Sequence, residues 1–313
     1  MRKSSLYQIQ CPRFHRRGKA VALQPNDPRA YTDLGSAHRW SGTSRANVGL
    51  DPMPEYLAAL RSFERATEVD PPYLPACSSQ VGLDVAIADH ADAIGTDPRS
   101  AVDDARRSGE RCLAIDPSFH SMLESLAEAQ LALAHHLAEH GGNPAPALAD
   151  ARDYLDRFEK VQFGTMTLWY HRLMAARIEA RFRLRHGDDP GPSIALGRAA
   201  LSEALRVYPA SADSYVEAAR LDLVEAMWAA HVMRKPTPIL ATALADVEKA
   251  IALGGESTAA LVTLAEVCLQ LATVQPRPSL VDRGIGAVDQ ALQLNPKLLE
   301  AQAVRAELLR HRS

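Results

Sequence analysis

Residues 27–71 read DPRAYTDLGSAHRWSGTSRANVGLDPMPEYLAALRSFERATEVDP, and the Asp-Pro pairs inside this stretch decide the fold. At Asp27-Pro28 a short carboxylate accepts from the free N–H groups of a first helical turn, while proline suits the first helical position. Helix A is therefore expected from Pro28 through AYTDLGSAHRW, weakening at Ser41 and Gly42. Asp51-Pro52 repeats the start signal, and helix B runs through EYLAALRSFERATEV to a stop at Asp70-Pro71-Pro72. The stretch predicts a hairpin of two helices.

The same punctuation recurs along the chain. Pro25, Pro71, Pro117, Phe163, Pro209 and Gly255 are each 46 residues apart, and Pro296 follows 41 further on. In phase with them run Pro52, Pro98, Pro144, Pro190 and Pro236, with Pro276 coming 40 later. Asp51, Asp97, Asn143 and Asp189 precede the first four prolines of that second series as caps, whereas Lys235 and Gln275 precede the last two, whose helix B starts are expected to be less well defined. Two interleaved marks at one period predict an array of stacked hairpins. Within helix B, Ala59, Phe63 and Ala66, and likewise Ala151, Leu155 and Phe158, or Ala243, Val247 and Ala250, keep i, i+4, i+7 spacing and form the packing face.

Composition agrees with packed helices. The 313 residues are 47% hydrophobic and only 5% aromatic, and the formal net charge of -3 gives no general reason to expect nucleic acid or an anionic membrane as partner. Residues 1–19 are the exception, with Arg2, Lys3, Arg13, Arg16, Arg17 and Lys19 and no acid, expected as a basic, partly disordered lead-in. Cys11, Cys77, Cys112 and Cys268 show no CxxC spacing; they read as small apolar residues of separate repeats in a reducing compartment, without disulfide or zinc. No signal peptide or membrane-length apolar run stands out, so a cytoplasmic location is expected.

Tyr31, Leu34, Gly35 and His38 on helix A, with Ala59, Phe63, Ala66 and Pro71 on helix B, resemble the tetratricopeptide repeat, whose pattern is W-x2-L-G-x2-Y, A-x3-F and a closing Pro. Tyr215, Ala218 and Ala219 fit more loosely, as do Leu261, Leu264, Ala265 and Cys268, and the resemblance spans about residues 20–313. The repeat exceeds the standard length of ~34 residues by about 12, an excess assigned to a longer helix A or to loops such as SGTSRANVGLD. The signature DPMP, NPAP, DPGP, KPTP, QPRP is similar to that of extended repeats found C-terminal to serine/threonine protein kinases in some bacteria, which implies signalling. Phosphotransfer is not expected, for no HRD, DFG or Gly-rich loop with its lysine occurs.

The expected fold is an all-α, right-handed superhelical solenoid of about six elongated tetratricopeptide-like hairpins over residues 20–313, with repeats at 28–71, 72–117, 118–163, 164–209, 210–255 and 256–296 and a capping helix at 297–312. Such an array implies a non-catalytic interaction scaffold that takes a protein or peptide on a concave face lined by helix A. By the resemblance, Arg29, Thr32, Ser36 and Arg39 line that face early, Trp169, Tyr170, Met174 and Arg177 near the middle, and Asp213 and Arg220 later. The central aromatic and Arg-rich stretch is the leading partner site, set against a packing role for Trp169 and Leu173. Self-association through an exposed end, or a detached regulatory half of a kinase-like protein, are the alternatives.

Three chemical motifs weigh less. Gly284-x-Gly286 lacks a preceding strand and a third glycine, so Gly284 is read as helix packing rather than nucleotide binding. His136 and His140 keep i, i+4 spacing without a third ligand, so they read as a solvated helix end and no metal or other cofactor is expected. Glu124 and Glu128 could pair as glycosidase carboxylates in a closed helical toroid, but the chain has few aromatics for a sugar cleft.

Overall fold

A computed structural model of the protein describes residues 20–312. The basic lead-in and Cys11 lie outside the described residues. A short helical turn at 20–23 is followed by thirteen helices, and no strand occurs among the described residues. The A helices are α1 (Pro28–Asn47), α3 (Leu74–Ala93), α5 (His120–Glu139), α7 (Met166–Arg185), α9 (Ala212–His231) and α11 (Thr258–Val274). The B helices are α2 (Met53–Val69), α4 (Arg99–Ile115), α6 (Ala145–Val161), α8 (Gly191–Val207), α10 (Thr237–Gly254) and α12 (Pro278–Leu294), and α13 (Leu299–Arg312) follows.

The first helix A starts as expected, whereas in the first five B helices the proline itself stands at the N-cap and makes no side-chain cap. Asp27 accepts from the Arg29 N–H at 2.9 Å. Before helix B, Asp51, Asn143 and Asp189 accept from Met53, Ala145 and Gly191 at 2.9, 3.0 and 2.8 Å. Three A helices are capped by hydroxyls instead, Thr165, Ser211 and Ser257. The final helix B begins at Pro278 rather than Pro276, without a side-chain cap.

The extra length of the repeat is helix. The A helices of the first five repeats have 20 residues, and α1 runs straight through Ser41 and Gly42. Gly42 does not break α1 because it faces the Tyr56 ring of α2, as Gly35 one face-repeat earlier admits the Phe63 ring: a Cβ on Gly35 would stand 2.5 Å from Phe63. Helix α11 has only 17 residues, in keeping with the shorter final period.

A third periodic mark lies just past helix A. Gly49, Gly95, Gly141 and Gly187 have φ of 73°, 72°, 79° and 76°, and Met233 at the same place in the fifth repeat has φ 60°. The chain turns there through left-handed backbone, which suits glycine and strains methionine. The closing prolines are tied back as well: Tyr31 and Tyr215 donate to the Pro25 and Pro209 carbonyls at 3.2 and 3.3 Å, and Gln302 donates to that of Pro296 at 2.9 Å.

The described residues fall in two compact units, one reaching to His90 and including Pro98–Ala129, the other comprising Ala91–Asp97 and the residues from Gln130. In the first, Tyr56, Ala59, Phe63 and Leu83 form a core cluster, and Met122, Leu123 and Leu126 are fully buried. In the second, Ala243, Val247, Leu261, Ala265, Val288 and Leu308 belong to one large cluster. The helix B spacing thus marks the core, and Gly284 lies against Leu308 and Cys268 as a packing residue.

The cysteine expectation is corrected. Cys77 and Cys112 belong to one hairpin, α3–α4, and are joined as a disulfide with Cα atoms 6.0 Å apart. Antiparallel helices bring the start of α3 beside the end of α4, a pairing across 35 residues that local spacing rules do not register. The inference of a reducing compartment loses its footing with it. Cys268 is free and buried, its thiol pushed up to about 11 by that burial. No helix among the described residues is long and apolar enough to cross a membrane.

Candidate functional site

The helix-A face of the second unit carries a connected set of charges. Arg177 on α7 donates through Nε to Glu217 on α9 at 2.5 Å, and Arg220, one turn along α9, donates to the other oxygen of Glu217 at 3.2 Å. Arg220 also donates to the Thr263 hydroxyl of α11 at 3.0 Å and lies 3.8 Å from Glu300 of α13. Arg181 stands 3.4 Å from Glu139 of α5, and Arg185 donates to the Ala138 and Glu139 carbonyls that end that helix, where a cation also complements the dipole. Five helices contribute to these two groups of contacts, which share α7 and both bear on Glu266.

Burial sets their electrostatics. Glu217 is 3% exposed, and burial alone would raise its carboxyl, but Arg177 and Arg220 outweigh that and hold it below the ordinary carboxylate value. Burial likewise works against the Arg220 charge, while Glu300, Glu217 and Glu266 together hold it above the usual arginine range. Glu266 on α11 is pushed up to about 7 by burial and by neighbouring Glu300, against Arg220 and Arg181. A carboxyl that changes charge near neutrality therefore lies among fixed ions.

Of the residues expected to line a partner site, the structure brings Tyr170, Arg177, Asp213 and Arg220 together around Glu217. Burial, then the charges of Glu217 and Asp213, raises the Tyr170 phenol. Arg177 is 7% exposed and bonds Glu217 through Nε, so it orders the face from beneath, while Asp213 is exposed. Trp169 and Met174 lie apart: Met174 packs on the Leu131, Ala134 and Ile178 cluster, and Arg172 stacks 5.2 Å over the Trp169 ring, whose buried Nε1 has no partner. Arg29 and Arg39 belong to the other unit. There Arg29 is exposed, Thr32 is buried and bonded to the Pro28 carbonyl at 2.8 Å, Ser36 is half-buried, and Arg39 is desolvated near Glu128.

Sequence reasoning missed Glu217, Thr263, Glu266 and Glu300. A signal existed for two pairs: Glu217 with Thr263, and Arg220 with Glu266, are each one 46-residue period apart. The histidine expectation is corrected in part. His136 is buried, stacked on His140 at 4.1 Å and 3.2 Å from Asp92, which also holds His135 at 2.7 Å. No group of three His, Cys, Asp or Glu side chains placed to hold a metal ion occurs among the described residues. Glu124 and Glu128 are both raised, chiefly by burial.

No protein-family model and no curated protein matches the chain. Among solved structures, a tetratricopeptide repeat protein from Parabacteroides merdae superposes with TM-score 0.62 at 11% identity, covering 95% of this chain and 91% of that one. Pseudomonas aeruginosa pilF aligns over 88% of this chain and 99% of its own, at 16% identity and a TM-score of 0.45. Helical hairpins with Gly–aromatic contacts in the first and the superposition on the Parabacteroides merdae protein agree: the chain has the tetratricopeptide repeat fold.

Proposed function

We propose that the chain is a non-catalytic scaffold that binds a protein or peptide partner on the helix-A face of the second unit. One observation supports this above others: the buried Arg177–Glu217 pair fixes Arg220, which lies 3.8 Å from Glu300, and Tyr170 and Asp213 stand in the same field of charges. Aromatic and arginine side chains on a preformed frame are what binding hot spots use, since little further ordering is needed when a partner arrives. The signalling context and kinase link rest on the resemblance of the inter-helix signature alone.

The test places a photocrosslinking residue at Asp213, with a control at exposed Leu196 on α8. A partner captured from Asp213 and not from Leu196, and lost at least tenfold in Tyr170→Ala with unchanged melting, supports the site. Equal capture at both positions, or capture indifferent to Tyr170→Ala, refutes it. A captured kinase or kinase substrate would support the signalling link; a second copy of the chain would point to self-association instead.

A further inference from the structure

In the first unit, a groove of about 700 Å³ opens between α2 of one hairpin and α3 and α4 of the next, its walls including Leu60, Glu64, Gln80, Asp84 and Arg107. Asp84 is 5% exposed, and its Oδ2 atom is buried without a hydrogen-bond partner. A buried carboxylate without a donor is costly, so its surroundings need an account.

The repeat supplies one. Three periods on, Asp222 occupies the same position as Asp84, fully buried, and Arg198 on the preceding helix B donates to it and to Glu225. Arg198 lies 24 residues before Asp222; the residue 24 before Asp84 is Leu60. At Asp222 the guanidinium takes Oδ1 and leaves Oδ2 without a partner, as at Asp84; at Asp84 the counter-ion itself is replaced by an apolar side chain, and Leu60 lines the groove. Other charges facing Asp84 do not fill the gap. Arg107 is paired with Asp104 on its own helix, Arg111 donates to Ser108 at 3.1 Å, and Glu64 and Glu110 add negative charge.

We propose that this groove binds a small organic cation, a free aliphatic guanidine or amine, whose charged head takes beside Asp84 the place that Arg198 takes beside Asp222. The groove's size lies within the range of small-molecule sites, and its six charged walls, four acidic and two basic, leave a net negative balance. The Leu60 side of the groove suits an aliphatic stem. Burial, reinforced by Asp104 and opposed by Arg107 and Arg111, pushes Asp84 up to about 7, so a cation competes with a proton there and binds better at pH 8 than at pH 6.

The experiment is isothermal titration of the full chain with agmatine, at pH 8 and at pH 6, in wild type, Asp84→Asn and Leu60→Arg. The expected result is one site at pH 8, about tenfold weaker at pH 6 and at least tenfold weaker in either variant. Leu60→Arg supplies a resident guanidinium and tests the same site without altering Asp84. Absence of saturable binding to wild type, or unchanged affinity in both variants, overturns the proposal. So does binding of an arginine-containing peptide where agmatine fails, because the occupant would then be a polypeptide.

Discussion

Replacing Arg177 by Met is expected to weaken the second unit sharply while leaving its helices in register. Glu217, 3% exposed, would keep only the 3.2 Å contact with Arg220 in place of two arginine partners. Stranding one member of a buried ion pair costs roughly 3–5 kcal/mol, and the surviving Arg220 contact puts this case near about 3 kcal/mol, a change of about 150-fold in the unfolding equilibrium. The double variant Arg177→Met, Glu217→Leu removes both charges and is expected to be more stable than Arg177→Met alone. Urea unfolding followed by fluorescence in a Trp40→Phe background isolates the unit, because Trp169 and Trp228 both belong to it. The pH dependence has a definite sign: Glu217 is held below its ordinary value of 4.5, so its contribution is present above that value and is lost as pH falls through its lower folded value. The gap between wild type and Arg177→Met should therefore close in acid. A cost under about 1 kcal/mol at pH 7, or a double variant as unstable as the sum of the two single ones, would refute a buried, mutually dependent pair.

Asp84→Asn should stabilise the first unit by up to about 4 kcal/mol at pH 8, since a carboxyl raised from 3.8 to about 7 costs stability increasingly as pH rises between those values and in full above them; the gain should fade towards pH 4 in urea midpoints. Reducing Cys77–Cys112, which closes a 35-residue separation, should cost about 4 kcal/mol by loop entropy, seen as a lower melting temperature with reductant that a Cys77→Ser, Cys112→Ser variant reproduces and reductant no longer changes. Met233→Gly should stabilise by about 1 kcal/mol, because Met233 is exposed at φ 60° where the other repeats carry glycine; equal thermal midpoints would show that no strain resides there.

The period, the hairpin and the fold class were legible in the sequence because they are written locally: a cap, a proline, and small residues at helical spacing act within a turn or two of themselves. The first hairpin's Gly35–Phe63 contact follows from that register. Whether the extra length was helix or loop was not decided by the sequence, since Ser41 and Gly42 are poor helix formers in isolation and are retained because Tyr56 packs over Gly42. Tyr170 and Arg177 on α7 and Arg220 on α9 were recognised by residue type, but Glu217 reaches Arg177 across helices, and Glu266 and Glu300, whose charges bear on Arg220, lie on α11 and α13. The disulfide and the unpartnered Asp84 are of the same kind, depending on which helix lies opposite at a distance of tens of residues. The sequence by itself determined the repeating helical hairpins, because hydrogen bonds and packing periodicity are short-range in the chain. Only the tertiary structure decided which charges are buried together, because desolvation and Coulomb energy depend on neighbours brought near by folding and not by sequence.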